Sequence, residues 1–295
     1  MALKQTIGIV GLGLVGQALA TRLLAAGYRV TGFDLRAEAR AALTALGGTA
    51  MDCADQVGAA AECVLLAVFD TGDVIDVLEG AGGLLAGRPA VRTVIDCSTG
   101  DPQRLQALAG RLQARGIGFI EGPVSGSSQQ IAAGEATQLL GGDDATLHAC
   151  ADLLQALAPR RIHVGPAGMA AKAKLATNLV LGLNRAALAE GFVFAETLGI
   201  APDTFLALVL ATPARSAAAE SKGELMVRGD FRPQSRIRQH LKDVNLMLES
   251  AATCGQALPL SESHAELMRS AIVAGDGELD NAAIIREVRR RRTAP

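Results

Sequence analysis

The segment Gly11-Leu12-Gly13-Leu14-Val15-Gly16 limits what the first half of the chain can fold into. It follows at once on Thr6–Val10, a short β-branched run, and opens a helical pattern from Gln17 to Ala26 that stops at Gly27. A second strand pattern, Tyr28 to Phe33, ends in Asp34. Strand, glycine loop, helix, strand and acid stand in the order and spacing that set a pyrophosphate against a helix N-terminus. Gly11 permits the tight turn. Gly13 lets backbone N–H groups approach the phosphates, and Gly16 lets helix and strand pack closely. A lone G-x-G-x-x-G is weak; with its strand, its helix and an acid about 20 residues on, it predicts a dinucleotide site along Gly11 to Gly16.

Asp34 would accept hydrogen bonds from an adenosine ribose and repel a 2′-phosphate, which favours NAD. Arg36 keeps NADP open, because a guanidinium can hold that phosphate.

The alternation continues. Ala37 to Leu46 reads as helix and Cys63 to Val68 as a continuous apolar strand, the pattern of a strand buried on both faces. Val68 and Phe69 then fall at its C-terminal end, the rim where ligands of open parallel sheets bind. Val74 to Leu78 opens another helix, and Thr93 to Cys97 is a strand ending in Ser98-Thr99. Two readings of Ser98 stand side by side. It caps the helix before Pro102 and Leu105, or it joins Thr99 in contacting the nicotinamide half. Ile117 to Glu121, Gln138 to Leu140 and Arg161 to Val164 add strands, and Gly141-Gly142-Asp143 reads as a turn. A doubly wound, parallel-sheet α/β domain is expected over residues 1–164.

Residues 165–295 read differently. Gly165, Pro166 and Gly168 break the chain, and a helical pattern then runs to Gly199. Lys174 and Asn178 stand one turn apart on it, amid Ala, Leu and Val. Alone, Lys174 reads first as a solvated lysine, as Lys172 does. Pro202 to Leu210, Ala217 to Arg228, Ser235 to Cys254, Pro259 to Ala274 and Asn281 to Arg290 are all helical in pattern, so an all-helical second domain is expected.

With 28 basic and 30 acidic residues, the net charge of −2 gives no electrostatic footprint for nucleic acid or an anionic membrane. The basic run Arg289 to Arg292 reads as a solvated, frayed end. Five cysteines without a C-x-x-C pair point to buried thiols in a reducing compartment, the cytoplasm. The four histidines form no metal-ligand spacing. The N-terminal apolar stretch is rich in glycine and too short for a membrane span.

Four motifs, taken together, resemble the β-hydroxyacid dehydrogenase family over nearly the whole chain. They are the glycine loop, Ser98-Thr99, Pro123-Val124-Ser125-Gly126, and the helix carrying Lys174 and Asn178. His240-Leu241-Lys242-Asp243 follows in family order. The resemblance implies a Rossmann domain joined to an all-α domain by a long interdomain helix, and a homodimer or homotetramer built on the helical domains. It implies Lys174 as the catalytic lysine and Asn178 as the amide that positions lysine and substrate. It implies Ser125 and Gly126 as the carboxylate loop, and Lys242 near cofactor and substrate. The activity implied is reversible, NAD(P)-dependent oxidation of a small 3-hydroxy acid such as 3-hydroxyisobutyrate, threonate or a semialdehyde partner. Imine reductases share the architecture but usually replace the lysine. A non-catalytic dinucleotide-binding protein is the alternative of a different class.

The chain departs from the family pattern at Thr177, Ser127 and Ile131. The last two are expected to crowd or repolarise the pocket beside the substrate carboxylate.

Overall fold

The structure, a computed structural model, describes residues 5–87 and 89–292. Met1 to Lys4, Arg88 and Thr293 to Pro295, the last three of the C-terminal basic segment, lie outside the described residues. The chain forms two compact units that divide between Lys174 and Leu175. That division falls inside one continuous helix, Met169–Thr197.

The first unit is built on a mixed sheet. Its strands are β1 (Thr6–Val10), β2 (Arg29–Phe33), β3 (Thr49–Ala50), β4 (Cys63–Leu66), β5 (Thr93–Asp96), β6 (Gly118–Glu121), β7 (Val124–Ser125), β8 (Thr137–Gly141) and β9 (Arg160–Gly165). The order is β3-β2-β1-β4-β5-β6-β8-β7, with β9 on β8. From β3 to β6 every pairing is parallel; β8 runs antiparallel to β6 and β7. This is the doubly wound sheet expected from the alternating pattern.

The apolar runs explain it. Ile7, Ile9, Leu65 and Ile95 pack with Leu19, Leu23, Leu153 and Leu157. Val10, Val64, Leu66 and Val94 pack with Val57, Leu78, Leu105 and Leu108. Neighbouring strand residues point to opposite faces, so strands apolar throughout need a helical layer on each side. Each such side chain removed from water contributes about 1.5–3 kcal/mol.

The second unit is helical. Beyond the long helix it contains Pro202–Ala211, Ala217–Arg228, Ile237–Thr253, Pro259–Val273 and Ile284–Arg290, the last entered through a 3₁₀ turn at Asn281–Ala283. Phe192 is fully buried at its centre, edge-on to Phe205 at 5.0 Å, with Met226, Met247, Met268 and Ile285 around it. No helix among the described residues is long and apolar enough to cross a membrane.

Three expectations change here. Arg289 to Arg292 is not a frayed end. Arg289 and Arg292 both pair with Glu196, Arg290 with Asp276 and Glu287, and Arg291 with Glu287. A basic run reads as solvated only until its acids, nearly a hundred residues away in the case of Glu196, are brought beside it. The thiols are not all core: Cys63, Cys97 and Cys150 are buried, but Cys254 is exposed and Cys53 half-buried. Gly141 is not in a turn; it closes β8, and only Asp143 beyond it caps a helix.

Phe192→Ala should cost the helical unit about 3–5 kcal/mol in urea denaturation, as truncation of a well-packed buried aromatic does. A loss under about 1 kcal/mol would show that the site collapses around the cavity or was never tightly packed.

Candidate active site

The glycine loop is shaped by what cannot occupy it. Gly11 has φ +89°, and a Cβ there would strike the Ala67 carbonyl. A Cβ on Gly16 would fall onto the Gly11 carbonyl oxygen. Gly13 meets nothing nearer than Arg36 Nη2 at 3.8 Å, so its side of the loop is open. It is also the N-cap of the helix Leu14–Ala25, which has no side-chain cap and no acid in its first turn. The first N–H groups of that helix are therefore unspent on side chains. Leu12, Leu14 and Val15 carry this backbone past the open face. An exposed loop backbone, a helix N-terminus and no acid in the first turn fit a pyrophosphate.

Asp34 closes the loop from β2. Its Oδ2 accepts the Leu12 N–H at 2.8 Å, and Oδ1 accepts the Arg36 N–H at 2.9 Å. The Arg36 guanidinium lies on the same carboxylate as a fork, Nε to Oδ1 at 3.0 Å and Nη2 to Oδ2 at 3.1 Å. Partial burial opposes ionisation of Asp34, but the bonds from Arg36 and Leu12 outweigh it and hold the pKa below the usual carboxylate value. Sequence order alone did not reveal that the two residues with opposite cofactor preferences form one ion pair.

At the rim, the Val68 N–H donates to the Ser98 hydroxyl at 3.1 Å, tying the end of β4 to the loop after β5. Ser98 does not cap the following helix. Asp101 does, accepting from Gln103 and Arg104 N–H at 2.8 and 3.2 Å, with Pro102 at the first turn. The carboxylate one residue before a proline is the better-placed acceptor. Phe69 is 42% exposed and Thr99 half-buried at the same rim.

Lys174 is 7% exposed, and its Nζ donates to the Val124 carbonyl at 2.8 Å. Ser125 and Gly126 follow directly. Gly126 has φ +156°, and a Cβ there would press on Ala136 at 2.8 Å. The two departures beside this loop do not crowd it. Ser127 spends its hydroxyl on Gln130 N–H and its own N–H on Gln130 Oε1, a capping box for the helix Ser128–Ala133. Ile131 is 2% exposed in the core of the unit.

Glu121 is the residue that sequence reasoning missed. It ends β6, is 1% exposed, and its Oε2 accepts the Ala170 N–H at 3.0 Å in the first turn of the lysine helix. Its register partner on β5 is another buried acid, Asp96, which accepts the Ser98 N–H at 2.9 Å. Burial first, and the nearby Asp96 second, push Glu121 up to about 7 against the pull of the helix N–H groups. The signal was present: two neighbouring apolar strands, TVID and GFIE, each end in a carboxylate.

In the second unit, Asn178 is 7% exposed and donates to Asp243 Oδ2 at 3.1 Å. Lys242 Nζ lies 3.0 Å from Asp243 Oδ1. The structure thus joins Asn178 and Lys242 through Asp243, a residue the motif contained but to which no role was given. Thr177 is exposed.

Comparisons with known proteins agree on one group. Residues 6–165 match the family described as the NAD binding domain of 6-phosphogluconate dehydrogenase. Residues 168–288 match the NAD-binding family of NADP-dependent 3-hydroxyisobutyrate dehydrogenase. The chain is 30% identical to 2-(hydroxymethyl)glutarate dehydrogenase of Eubacterium barkeri, over 95% of this chain and 93% of that one. It is 30% identical to L-threonate dehydrogenase of Cupriavidus necator, over 96% of each. Among solved structures, 3-hydroxyisobutyrate dehydrogenase of Salmonella typhimurium superposes with a TM-score of 0.87 at 29% identity, covering 96% of this chain and 99% of that one.

Glu121 gives a pH test. Its folded pKa, about 7, exceeds the ordinary 4.5, so the folded state holds a proton that the unfolded chain releases. Its contribution is complete below the unfolded value and is lost as the pH rises through the folded one. Glu121→Gln should therefore gain on wild type by about 1–3 kcal/mol between roughly pH 4.5 and pH 8 in urea denaturation. An unchanged difference between the two proteins across that range would contradict the assignment.

Proposed function

The chain belongs to the β-hydroxyacid dehydrogenase family, an NAD(P)-dependent dehydrogenase, and from that premise we propose that it oxidises a small 3-hydroxy acid reversibly, with Lys174 as general acid and base. The observation that carries this reading is the Lys174 amine, held at 2.8 Å on the Val124 carbonyl, one residue before Ser125 and Gly126.

Gly11 to Gly16 would hold the pyrophosphate at the helix N-terminus, and Asp34 would take the adenosine ribose. Val68, Phe69 and Thr99 line the nicotinamide end. A nicotinamide dinucleotide bound along these residues would supply the hydride chemistry. Everything else falls to the side chains. Ser125, with the Gly126 backbone that no other residue adopts without strain, orients the substrate carboxylate. Lys174 then meets the hydroxyl on the carbon beyond. The amine takes the hydroxyl proton as the alcohol is oxidised and gives it back on reduction. One of its donors is spent on Val124, which fixes where the rest of the group points. Asn178, oriented by Asp243, is assigned the family's substrate-positioning role, and Lys242, on the same carboxylate, is assigned a role toward the anionic ligands.

The two relatives act on 2-(hydroxymethyl)glutarate and L-threonate, both small hydroxy carboxylates; this supports the substrate class. Exposed Val180, Phe194, Leu198 and Leu208 support a homodimer or homotetramer assembled through the helical unit. Among the described residues every cysteine is a free thiol, which supports a cytoplasmic location.

Lys174→Ala should lower kcat by about 10²–10⁴, the usual value of a positioned acid–base group, when followed at 340 nm with NAD and a panel of 3-hydroxy acids. Near-wild-type turnover would end the assignment; tight NAD binding by wild type without turnover on any hydroxy acid would favour the non-catalytic reading.

Because Asp34 neutralises Arg36, kcat/KM should be higher with NAD than with NADP, and Asp34→Ala, which frees the guanidinium, should reverse the order. A wild type that prefers NADP would overturn the preference.

A further inference from the structure

The helical unit buries a cation that no acid answers directly. Arg185 is 4% exposed, and its Nε has no hydrogen-bond partner. Among the described residues no carboxylate forms an ion pair with it. The acid whose field reaches it is Asp280. Asp280 is itself fully buried and fully spent. Its oxygens accept Lys222 Nζ at 2.9 and 3.0 Å, the N–H groups of Gln234 and Ser235 at 2.9 and 3.2 Å, and the Ala282 N–H at 3.0 Å.

The neighbours add no negative charge. Lys222 stands near enough for Arg185 to oppose its protonation. His264 is 4% exposed; burial, and then Arg185, push it down to about 4, so it is neutral at ordinary pH. The His240 ring lies 5.3 Å from that of His264 and packs on the backbone of Gly182, where any side chain would collide with it. Two cations thus stand near one carboxylate among buried side chains. Buried charges persist when they are paired, and an uncompensated one is among the costliest features a fold can hold.

We propose that Arg185 is the receptor of an anion site inside the helical unit, taking a carboxylate-sized oxyanion between its guanidinium and the imidazole of His264. Arginine presents five N–H donors in a planar fork that matches a carboxylate, and this fork is unspent at Nε. Two sources have that chemistry. One is a free small carboxylate that neutralises the cluster. The other is a second, distal carboxylate on the substrate. Asn178, Gly182 and Arg185 recur at the i, i+4, i+7 spacing of one helix face, and helical side chains lean back toward the N-terminus, in this case toward Asn178. Only this second source rests on the proposed function.

The test uses the whole protein. Sodium acetate, titrated at constant ionic strength, should raise the melting temperature of wild type by several degrees. Arg185→Met, close in length and without charge, should show no acetate response and be no less stable than wild type without acetate. Equal responses in the two proteins, or none in either, would overturn the proposal. Crystals of wild type in sodium bromide give a reading that does not depend on the variant folding. An anomalous peak against the Arg185 guanidinium supports the site, and its absence contradicts it.

The source is read from kinetics with 3-hydroxy acids that carry or lack a second terminal carboxylate. A rise in KM of tenfold or more for the dicarboxylate alone in Arg185→Met, with kcat held, assigns the anion to the substrate. Equal KM values in both proteins assign it to a free anion. If no hydroxy acid is turned over, the proposed function fails while the acetate and bromide results still decide the site.

Discussion

A single short segment, Glu121 to Gly126, which runs from the end of β6 through β7, holds the start of the long helix at two points. The Glu121 carboxylate takes an N–H from its first turn, and the Val124 carbonyl takes the Lys174 amine one turn later. A helix fixed at its N-terminus alone can still rotate about its axis; a second bond one turn on removes that freedom. The lysine is therefore directed by the segment that leaves the last parallel strand, β6. The arrangement asks for a buried carboxylate, and Glu121 sits beside another, Asp96. Acids facing the positive end of a helix macrodipole offset part of that cost.

The nucleotide half follows a different logic, exclusion more than attraction. Gly11 and Gly16 stand where a Cβ would meet backbone carbonyls, so the loop closes tightly only without side chains. Asp34 then serves twice, bracing the loop through the Leu12 N–H and occupying the Arg36 guanidinium. The same carboxylate links the shape of the loop to the guanidinium beside it.

Much of this was legible in the sequence, and the reason is periodicity. Thr6–Val10 and Ala217–Arg228 were read to the residue because their apolar spacing stops at a glycine just past the C-terminal end, Gly11 and Gly229. The two-residue strands β3 and β7 and the small-residue helix Ala54–Ala60 carry no such period and went unread. Site residues divided the same way. Lys174 and Asn178 were visible as a polar pair on an apolar face. Ser98 was half misread because its hydroxyl reaches back to Val68, thirty residues earlier, rather than forward to the next helix. Ser127 and Ile131 look like pocket residues beside a loop motif, yet the first caps a helix and the second fills the core. Glu121 and Arg185 drew no notice at all. Their significance lies in burial and in which charges surround them, and both are properties of the fold.

The central claim is that the Lys174 amine is the group that meets the substrate alcohol. A crystal structure of the protein with NAD and a 3-hydroxy acid tests it most directly. Lys174 Nζ should lie within about 3.2 Å of the substrate hydroxyl oxygen, the reach of a general acid or base, with the substrate carboxylate on Ser125 and Gly126. A hydroxyl bonded to another titratable side chain, with Lys174 remaining only on the Val124 carbonyl, would contradict it.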